Sequence, residues 1–411
     1  MNPLENRLIA PAVAAVLILL SSSLHSRTWT SADGVKTFEG ELQSYDAASG
    51  KVSVILPNHK RITFKQEKLS ADDIAWLEKN GNRPAGKATE VKELPDELPD
   101  PDGKEADMSK PVQVYILLGQ SNMIGFGKPS KLQGIAAKKY PYLVDDADEW
   151  TVRRDVRNVF VMCSGNSPAK DHKNEWMTIS GNIGPEIGIG HHVGHVTDAP
   201  VLILKSCIGN RSLGWDLLPP GSKPYEHGGK TQPGYRGTPD DPGGDTGGDM
   251  SKGWYAGCQY DGDVAAAKKA LDNLDDYYPG AKDYEVAGFF WWQGDKDMRN
   301  AAHFEKYEEN LIQLIKSLRK DFDAPGARFV TASLGQTQKG SKGGDGKILD
   351  AMEAVAKSDD PELEDKVAFV YTHPLSKGGS SSGHYGGNPE TYMNVGEAMG
   401  KAMVELLQQN R

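Results

Sequence analysis

The chain has 411 residues, a 38% hydrophobic share and a formal net charge of −10 at pH 7. That length exceeds what a single core usually holds, so two folded units with appendages are expected. The acidic balance argues against nucleic acid or an anionic membrane surface as a partner. Three cysteines, Cys163, Cys207 and Cys258, allow at most one internal disulfide and show no metal-ligand spacing, so stability must come mainly from packing. Residues 1–26 read as a secretory signal: Arg7 precedes the apolar run LIAPAVAAVLILL and the small residues Ser21 to Ser23. The run Leu8 to Leu20 is short for a membrane span, which favours cleavage near Ser23 or Ser26 over a retained anchor. The expected location is periplasmic, extracellular or at the cell surface, with no membrane association beyond that segment.

Residues 27–80 form a separate unit. The segments TFEGELQSYD, KVSVILPN and RITFKQEKLS alternate apolar and polar residues between turns, which predicts a small antiparallel β-barrel. Leu69 to Asp73 then opens a short helix carrying Trp76 and Leu77. From Arg27 to about Asn80 the arrangement resembles the SLA-one homology domain, an SH3-like module. It holds no nucleophile with a base, so it is read as a packing or interaction module for an unidentified protein or glycan ligand. Residues 81–110 follow as an acidic, proline-rich linker (ELPDELPDPDGKEAD) whose composition predicts an extended, poorly packed strap.

From residue 111 to 411, strand and helix patterns alternate. Buried-strand runs appear at Val114–Leu118, Val201–Leu204, from Val286, and at Arg328–Leu334. Helical spacing appears at Gly262–Leu274, at His303–Leu318 and at Thr391–Gln409. The predicted fold class is α/β, a three-layer α/β/α sandwich with a mostly parallel sheet. A Gly/Asp-rich insertion spans 221–253 and contains Asp240, Asp241, Asp245 and Asp249. Oxygen ligands gather there as in a calcium loop, but the spacing does not match an EF-hand, so a solvated insertion over a cleft is expected.

The stretch VYILLGQSNMIGFG, Val114 to Gly127, carries the most chemical information. An apolar strand stops at Gly119, and Ser121 follows where a turn would present backbone N–H groups beside its hydroxyl. A serine there can attack a carbonyl carbon while those N–H groups hold the oxyanion; the competing reading is a serine that caps a helix. Three further segments follow in order: Lys205-Ser-Cys-Ile-Gly209-Asn-Arg at the end of a strand, Trp291-Trp292-Gln293-Gly294-Asp295 at the end of another, and Gly383-His384-Tyr385 ahead of the last helix. Strand C-termini are where open α/β sheets bind ligands.

With Gly119-Gln-Ser-Asn-Met123, these segments resemble the SGNH hydrolases, in the branch of sialate O-acetylesterases and acetylxylan esterases, across Val112 to Arg411. The resemblance implies an SGNH, flavodoxin-like sandwich and a serine esterase that removes O-acetyl groups from a carbohydrate, without metal or organic cofactor. It implies Ser121 as nucleophile, His384 as general base, and an oxyanion hole from the Ser121 and Gly209 N–H groups and the Gln293 amide. His373, in VAFVYTHP, is the competing base but lies too far ahead of the final helix. The sequence departs from the family pattern just before His384, where Ser381 and Ser382 occupy the positions of the usual aspartate. Asp295 is the first substitute for the acid that should orient His384, Asp297 the second, and a bare Ser–His dyad the third.

Two other features compete for attention. His191, His192 and His195 have helical spacing, but they lack the Glu of a zinc-protease signature and follow a Gly184-Pro-Glu186 turn, so a packed helix is the better reading. Trp291 and Trp292 suit either core packing or a sugar-facing wall, with core expected for at least one. Two functions outside catalysis remain open: a glycan-binding relative that has lost its chemistry, and a surface adaptor that works through residues 27–80.

Overall fold

The computed structural model describes residues 27–47, 49–56, 61–80, 91–237 and 254–409. The chain divides into two compact units, residues 1–85 and 86–411. The signal-like residues 1–26, the first part of the linker, and the insertion from 238 to 253 with its four aspartates lie outside the described residues.

In the smaller unit, β1 (Arg27–Thr30), β2 (Thr37–Asp46), β3 (Lys51–Ile55) and β4 (Arg61–Lys65) pair in sequence order as an antiparallel meander, followed by helix α1 (Ala71–Asn80). Trp29, Val52, Val54, Leu69 and Leu77 form its core. Ser70 caps α1 by accepting the Asp73 N–H at 3.2 Å, and Asp73 in turn accepts the Thr30 N–H at 2.7 Å, tying helix to first strand. The Arg27 guanidinium lies over the Trp76 ring at 4.0 Å and pairs with Asp73. Among the described residues β1 and β4 do not pair directly, but the chain beyond each of them does: Ser31 bridges Leu69 in antiparallel fashion, with the Ala32 N–H on the Lys68 carbonyl at 2.9 Å and the Ser70 N–H on the Thr30 carbonyl at 2.8 Å.

The larger unit is built on a seven-stranded sheet. Its strands are β5 (Val112–Gly119), β6 (Arg153–Met162), β7 (Lys170–Met177), β8 (Val201–Ser206), β11 (Tyr284–Trp292), β12 (Arg328–Ala332) and β13 (Val367–Val370); β9 (Tyr225–His227) and β10 (Lys230–Gln232) form a separate hairpin. The spatial order is β13-β12-β11-β5-β8-β6-β7, and every pairing is parallel except that of β7 on β6. The chain moves outward from β5 on one side to β6, returns to β8, and later crosses to β11 on the other. The crevice beside β5 is therefore a topological switch point.

Strand alternation assigns the layers. Val114, Ile116 and Leu118 face one core with α5 (Cys258–Asp272), α8 (Tyr307–Asp321) and α9 (Gly344–Ala356). Tyr115 and Leu117 face the opposite core with α3 (Pro129–Lys139), α4 (Glu186–His195) and α10 (Pro389–Gln408). On β11 the register slips between Val286 and Gly288, after which Phe289 and Trp291 point to one core and Phe290 and Trp292 to the other. Both tryptophans are fully buried, with indole N–H groups donating to Tyr307 Oη at 3.1 Å and to the Ser333 carbonyl at 2.9 Å. They are core, and neither forms a sugar-facing wall.

Several elements differ from expectation. Helix 303–318 is two helices, α7 (Ala301–Glu305) and α8, broken at Lys306. The later part of the linker is extended but not loose: Lys92 N–H donates to the Val196 carbonyl and Asp107 N–H to the Asp198 carbonyl, both at 2.7 Å, and Leu98 joins the core. Residues 91–110 are thus a strap along the larger unit, held by backbone bonds that composition does not reveal. All three cysteines are buried and free.

The histidine-rich helix α4 packs against α10 through glycines: a Cβ on Gly188 would overlap the backbone of Gly396 and Glu397. His191 and His192 are buried on it, His191 with its ring 4.7 Å from Tyr142 and its carbonyl bonded to Arg153, His192 with Nδ1 2.8 Å from the Gly188 carbonyl. Burial holds both below the ordinary histidine range, His192 at about 4, and the nearby Arg153 adds to the effect on His191. Because the folded pKa lies below the unfolded one, the unfolded chain binds more protons as pH falls. Stability is therefore full above about pH 6.5 and lost on acidification. Denaturant unfolding should show a loss of about 2 kcal/mol between pH 7 and pH 5 through His192, and His192→Gln should flatten that slope; an unchanged slope in the variant contradicts the assignment.

Candidate active site

Ser121 sits where β5 ends. Gly119 adopts φ 147°, and a Cβ there would overlap the Trp292 carbonyl of the neighbouring strand, so only glycine lets the chain turn at this point. Ser121 then opens the single turn α2 (Ser121–Ile124), which ends at Gly125 with a positive φ of 89° and the Gly125 N–H on the Ser121 carbonyl at 3.2 Å. Ser121 is partly exposed, while Asn122 and Met123 are buried beneath it. No hydrogen bond to the Ser121 hydroxyl is made among the described residues, so helix capping does not account for it. Gly209 lies at the end of β8, beside β5, and a Cβ on it would sit 3.6 Å from the Ser121 Cβ. The two backbones are neighbours, as a shared oxyanion site requires.

A buried ion pair fixes this corner. Lys205, on β8, places its ammonium 2.6 Å from Glu186 Oε2 and donates to the Ile124 carbonyl at 2.8 Å; both side chains are within 2% of full burial. The Ile124 carbonyl is at the free C-terminal end of α2, where a cation complements the helix dipole. Gly184 makes room: a Cβ on it would overlap the Glu186 carboxylate and crowd Ile124 and Lys205. The Gly-Pro-Glu turn noted in the sequence thus links α4, β8 and the Ser121 turn. Lys205 was missed by sequence reading, although a lysine ending the apolar run Val201–Leu204 was a legible signal.

The segment after β11 is placed differently from expectation. Gln293 is fully buried, and its amide nitrogen donates to Asp297 and, at 2.8 Å, to the Arg211 carbonyl, with Gln120 Oε1 at 3.3 Å. Its oxygen accepts from Tyr307 at 2.8 Å. Both amide hydrogens are engaged inside the protein, so Gln293 braces the loop after Gly209 through Arg211 and does not point a free donor at an oxyanion. Asp297 is also fully buried and accepts the Leu213 and Gly214 N–H groups at 2.9 and 2.8 Å. Burial raises its pKa, opposed by His303 and these bonds. Its partners are Gln293, the 213–214 backbone and His303, and His384 is not among them.

Asp295 meets the His384 turn only through Ser381. Its Oδ1 accepts from Ser381 Oγ at 2.5 Å and its Oδ2 from Arg299 at 2.9 Å. Ser381 is one of the two serines standing where an acid was expected, so the carboxylate from β11 anchors the turn that carries the histidine. His384 lies in the turn Ser381–Gly387, which packs against α2. Its ring is stacked on Phe126 at 4.0 Å with planes 8° apart, and among the described residues no hydrogen bond reaches its ring nitrogens. His373, the competitor, has Nδ1 2.9 Å from the Gly335 carbonyl at the end of β12. No group of three or more His, Cys, Asp or Glu side chains is placed to hold a metal among the described residues.

Ser121, Gly209 and the His384 turn are therefore brought together at the C-terminal edge of β5 and β8; Asp295 joins through Ser381, and Gln293 and Asp297 lie behind. Against this geometry, residues 244–405 match the family model described as carbohydrate esterase, sialic acid-specific acetylesterase, a span that contains Asp295 and His384 and begins after Ser121 and Gly209. No curated protein matches the chain. Similar solved structures include a protein from Arabidopsis thaliana at 16% identity and TM-score 0.41, covering 72% of this chain and 98% of that one. They also include a carbohydrate acetylesterase from Xanthomonas citri at 14% and 0.42, covering 72% of this chain and 57% of that one. A third, NanS, stands at 14% and 0.31, covering 64% and 78%.

Removing one partner of a buried ion pair leaves the other charge uncompensated. Glu186→Gln should lower the unfolding free energy by about 3–5 kcal/mol, and the double change with Lys205→Met should recover most of it. A loss below about 1 kcal/mol in denaturant melts of Glu186→Gln contradicts the role given to the pair.

Proposed function

We propose that the larger unit is a serine esterase that removes acetyl groups from a carbohydrate, sialate O-acetylesterase-like or acetylxylan esterase-like. The observation that carries this is the convergence of a partly exposed serine at a strand end, the Gly209 backbone beside it, and the His384 turn packed against the serine's helix. The family match over residues 244–405 supports the carbohydrate class. The segment after Arg7 supports an exported setting, and residues 27–80 remain read as an SH3-like packing or interaction module.

In this mechanism His384 takes the Ser121 proton, and Ser121 Oγ attacks the acetyl carbonyl carbon. The tetrahedral oxyanion is held by the Ser121 and Gly209 N–H groups. Collapse expels the sugar hydroxyl, which receives the proton from His384, and leaves an acetyl ester on Ser121. Water then gives its proton to His384 and attacks that ester, releasing acetate and restoring the serine. The Gln293 amide supports the hole by fixing Arg211, and Asp295 supports the base by fixing Ser381. Of the three ways to orient the base, the geometry favours a Ser–His dyad with Asp295 acting through the turn.

Acetate release from acetylated glycans and p-nitrophenyl acetate hydrolysis test the reading. Ser121→Ala and His384→Ala should each lower kcat by about 10⁴-fold or more. Equal, near-background rates in wild type and Ser121→Ala would move the assignment to glycan binding. Asp295→Asn should cost about tenfold in kcat, well short of the roughly 10⁴-fold loss when a triad aspartate is changed; a loss of that larger size would restore Asp295 to direct contact with the imidazole.

A further inference from the structure

His384 and Tyr385 hold a backbone conformation that side-chain-bearing residues rarely adopt. His384, Tyr385 and Gly386 have φ/ψ of 50/40°, 52/30° and 60/20°, one turn of left-handed helix with two non-glycine residues in it. Each such residue costs roughly 1–2 kcal/mol, so the surroundings must impose the turn. Tyr385 supplies one anchor: it is fully buried, stacked on Trp292 at 5.8 Å, and its hydroxyl accepts the Gly335 N–H at 3.1 Å. The Asp295–Ser381 bond supplies another at the turn's start, and the Gly387 carbonyl accepts the Lys128 N–H at 3.1 Å at its end. These contacts fix the backbone of His384. They leave the imidazole itself free to rotate, with no carboxylate on its ring.

Phe126 is what meets that ring. It lies five residues after Ser121, between two anchored glycines: the Gly125 N–H is on the Ser121 carbonyl, and Gly127 exchanges two hydrogen bonds with Ile183, both at 2.9 Å. The phenyl face is thereby rigidly tied to the nucleophile's own turn. Its stack on His384, with centroids 4.0 Å apart, fixes the plane of the imidazole relative to Ser121. An aromatic face also favours a cation lying over it, so the same contact stabilises the imidazolium formed when His384 accepts the serine proton.

We propose that Phe126 is a positioning residue for the base: its stacked ring takes over, in part, the orienting and charge-stabilising work that a carboxylate does in a triad. This rests on the esterase reading of Ser121 and His384. Phe126 touches neither nucleophile nor acyl group in this role, so its loss should appear in kcat and leave KM nearly unchanged.

The test compares full-length wild type, Phe126→Leu, Phe126→Tyr and Ser121→Ala in p-nitrophenyl acetate hydrolysis, with thermal melts to confirm that each variant is folded. Phe126→Leu keeps apolar bulk and removes the aromatic face, and should lower kcat about tenfold with KM within twofold; Phe126→Tyr should restore kcat. A folded Phe126→Leu that keeps wild-type kcat, or a Phe126→Tyr as slow as Phe126→Leu, overturns the positioning role while the loss of turnover in Ser121→Ala leaves the esterase standing. A wild type no faster than Ser121→Ala overturns the esterase reading itself, and the inference falls with it.

Discussion

The buried contact between Lys205 and Glu186 organises everything around Ser121. Burying two charges is costly, and an apolar pair of the same volume would serve stability as well or better. What the ion pair adds is placement. One ammonium joins a strand, the turn before a helix and the carbonyl that ends the serine's own single-turn helix, three segments distant in sequence. A four-residue helix cannot hold itself together in water, so its geometry must come from such tertiary contacts. The glycines at 119, 125 and 184 belong to the same constraint, because each stands where a Cβ would collide with the backbone or the pair.

The second half of the site is built by different means. Where Lys205 fixes the serine through charge, the histidine is fixed through strain and aromatic packing. Tyr385 is locked between Trp292 and Tyr392, and the left-handed turn around it holds His384 with its ring on Phe126, five residues after Ser121. Polar bonds to Ser381 and Gly387 close the turn at both ends. Trp292 serves both halves, since its carbonyl abuts Gly119 and its indole packs against Tyr385.

Much of this was legible in the residues. The parallel strands β5, β8, β11 and β12 announced themselves as apolar runs because both of their faces are covered. Ser121 and Gly209 could be read from where two of those runs stop, whereas His384 was marked by the family resemblance, from its place ahead of the last helix. Strands β6 and β7 were not anticipated: β6 interleaves Arg153, Asp155 and Arg157, whose charges are met inside the fold, and β7 is a polar edge strand, KDHKNEWM, without a hydrophobic pattern. The break at Lys306 was hidden because apolar spacing continues across it. The roles of Gln293 and Asp295 were also beyond reach. Which acceptor an amide meets and which hydroxyl a carboxylate binds depend on loops brought together only in three dimensions. Sequence pointed to a missing acid before His384; the fold places Ser381 there as a hydrogen-bond partner of Asp295 and stacks Phe126 on the His384 ring.

The central claim is that Ser121 is a nucleophile activated by His384, and covalent labelling addresses it most directly. The full-length protein would be treated with a fluorophosphonate, which captures activated serines, and the modified peptide identified by mass spectrometry. The account predicts one adduct, on Ser121, formed rapidly in the wild type and far more slowly in His384→Ala. An unlabelled protein, an adduct on another serine, or equal labelling rates with and without His384 would contradict it.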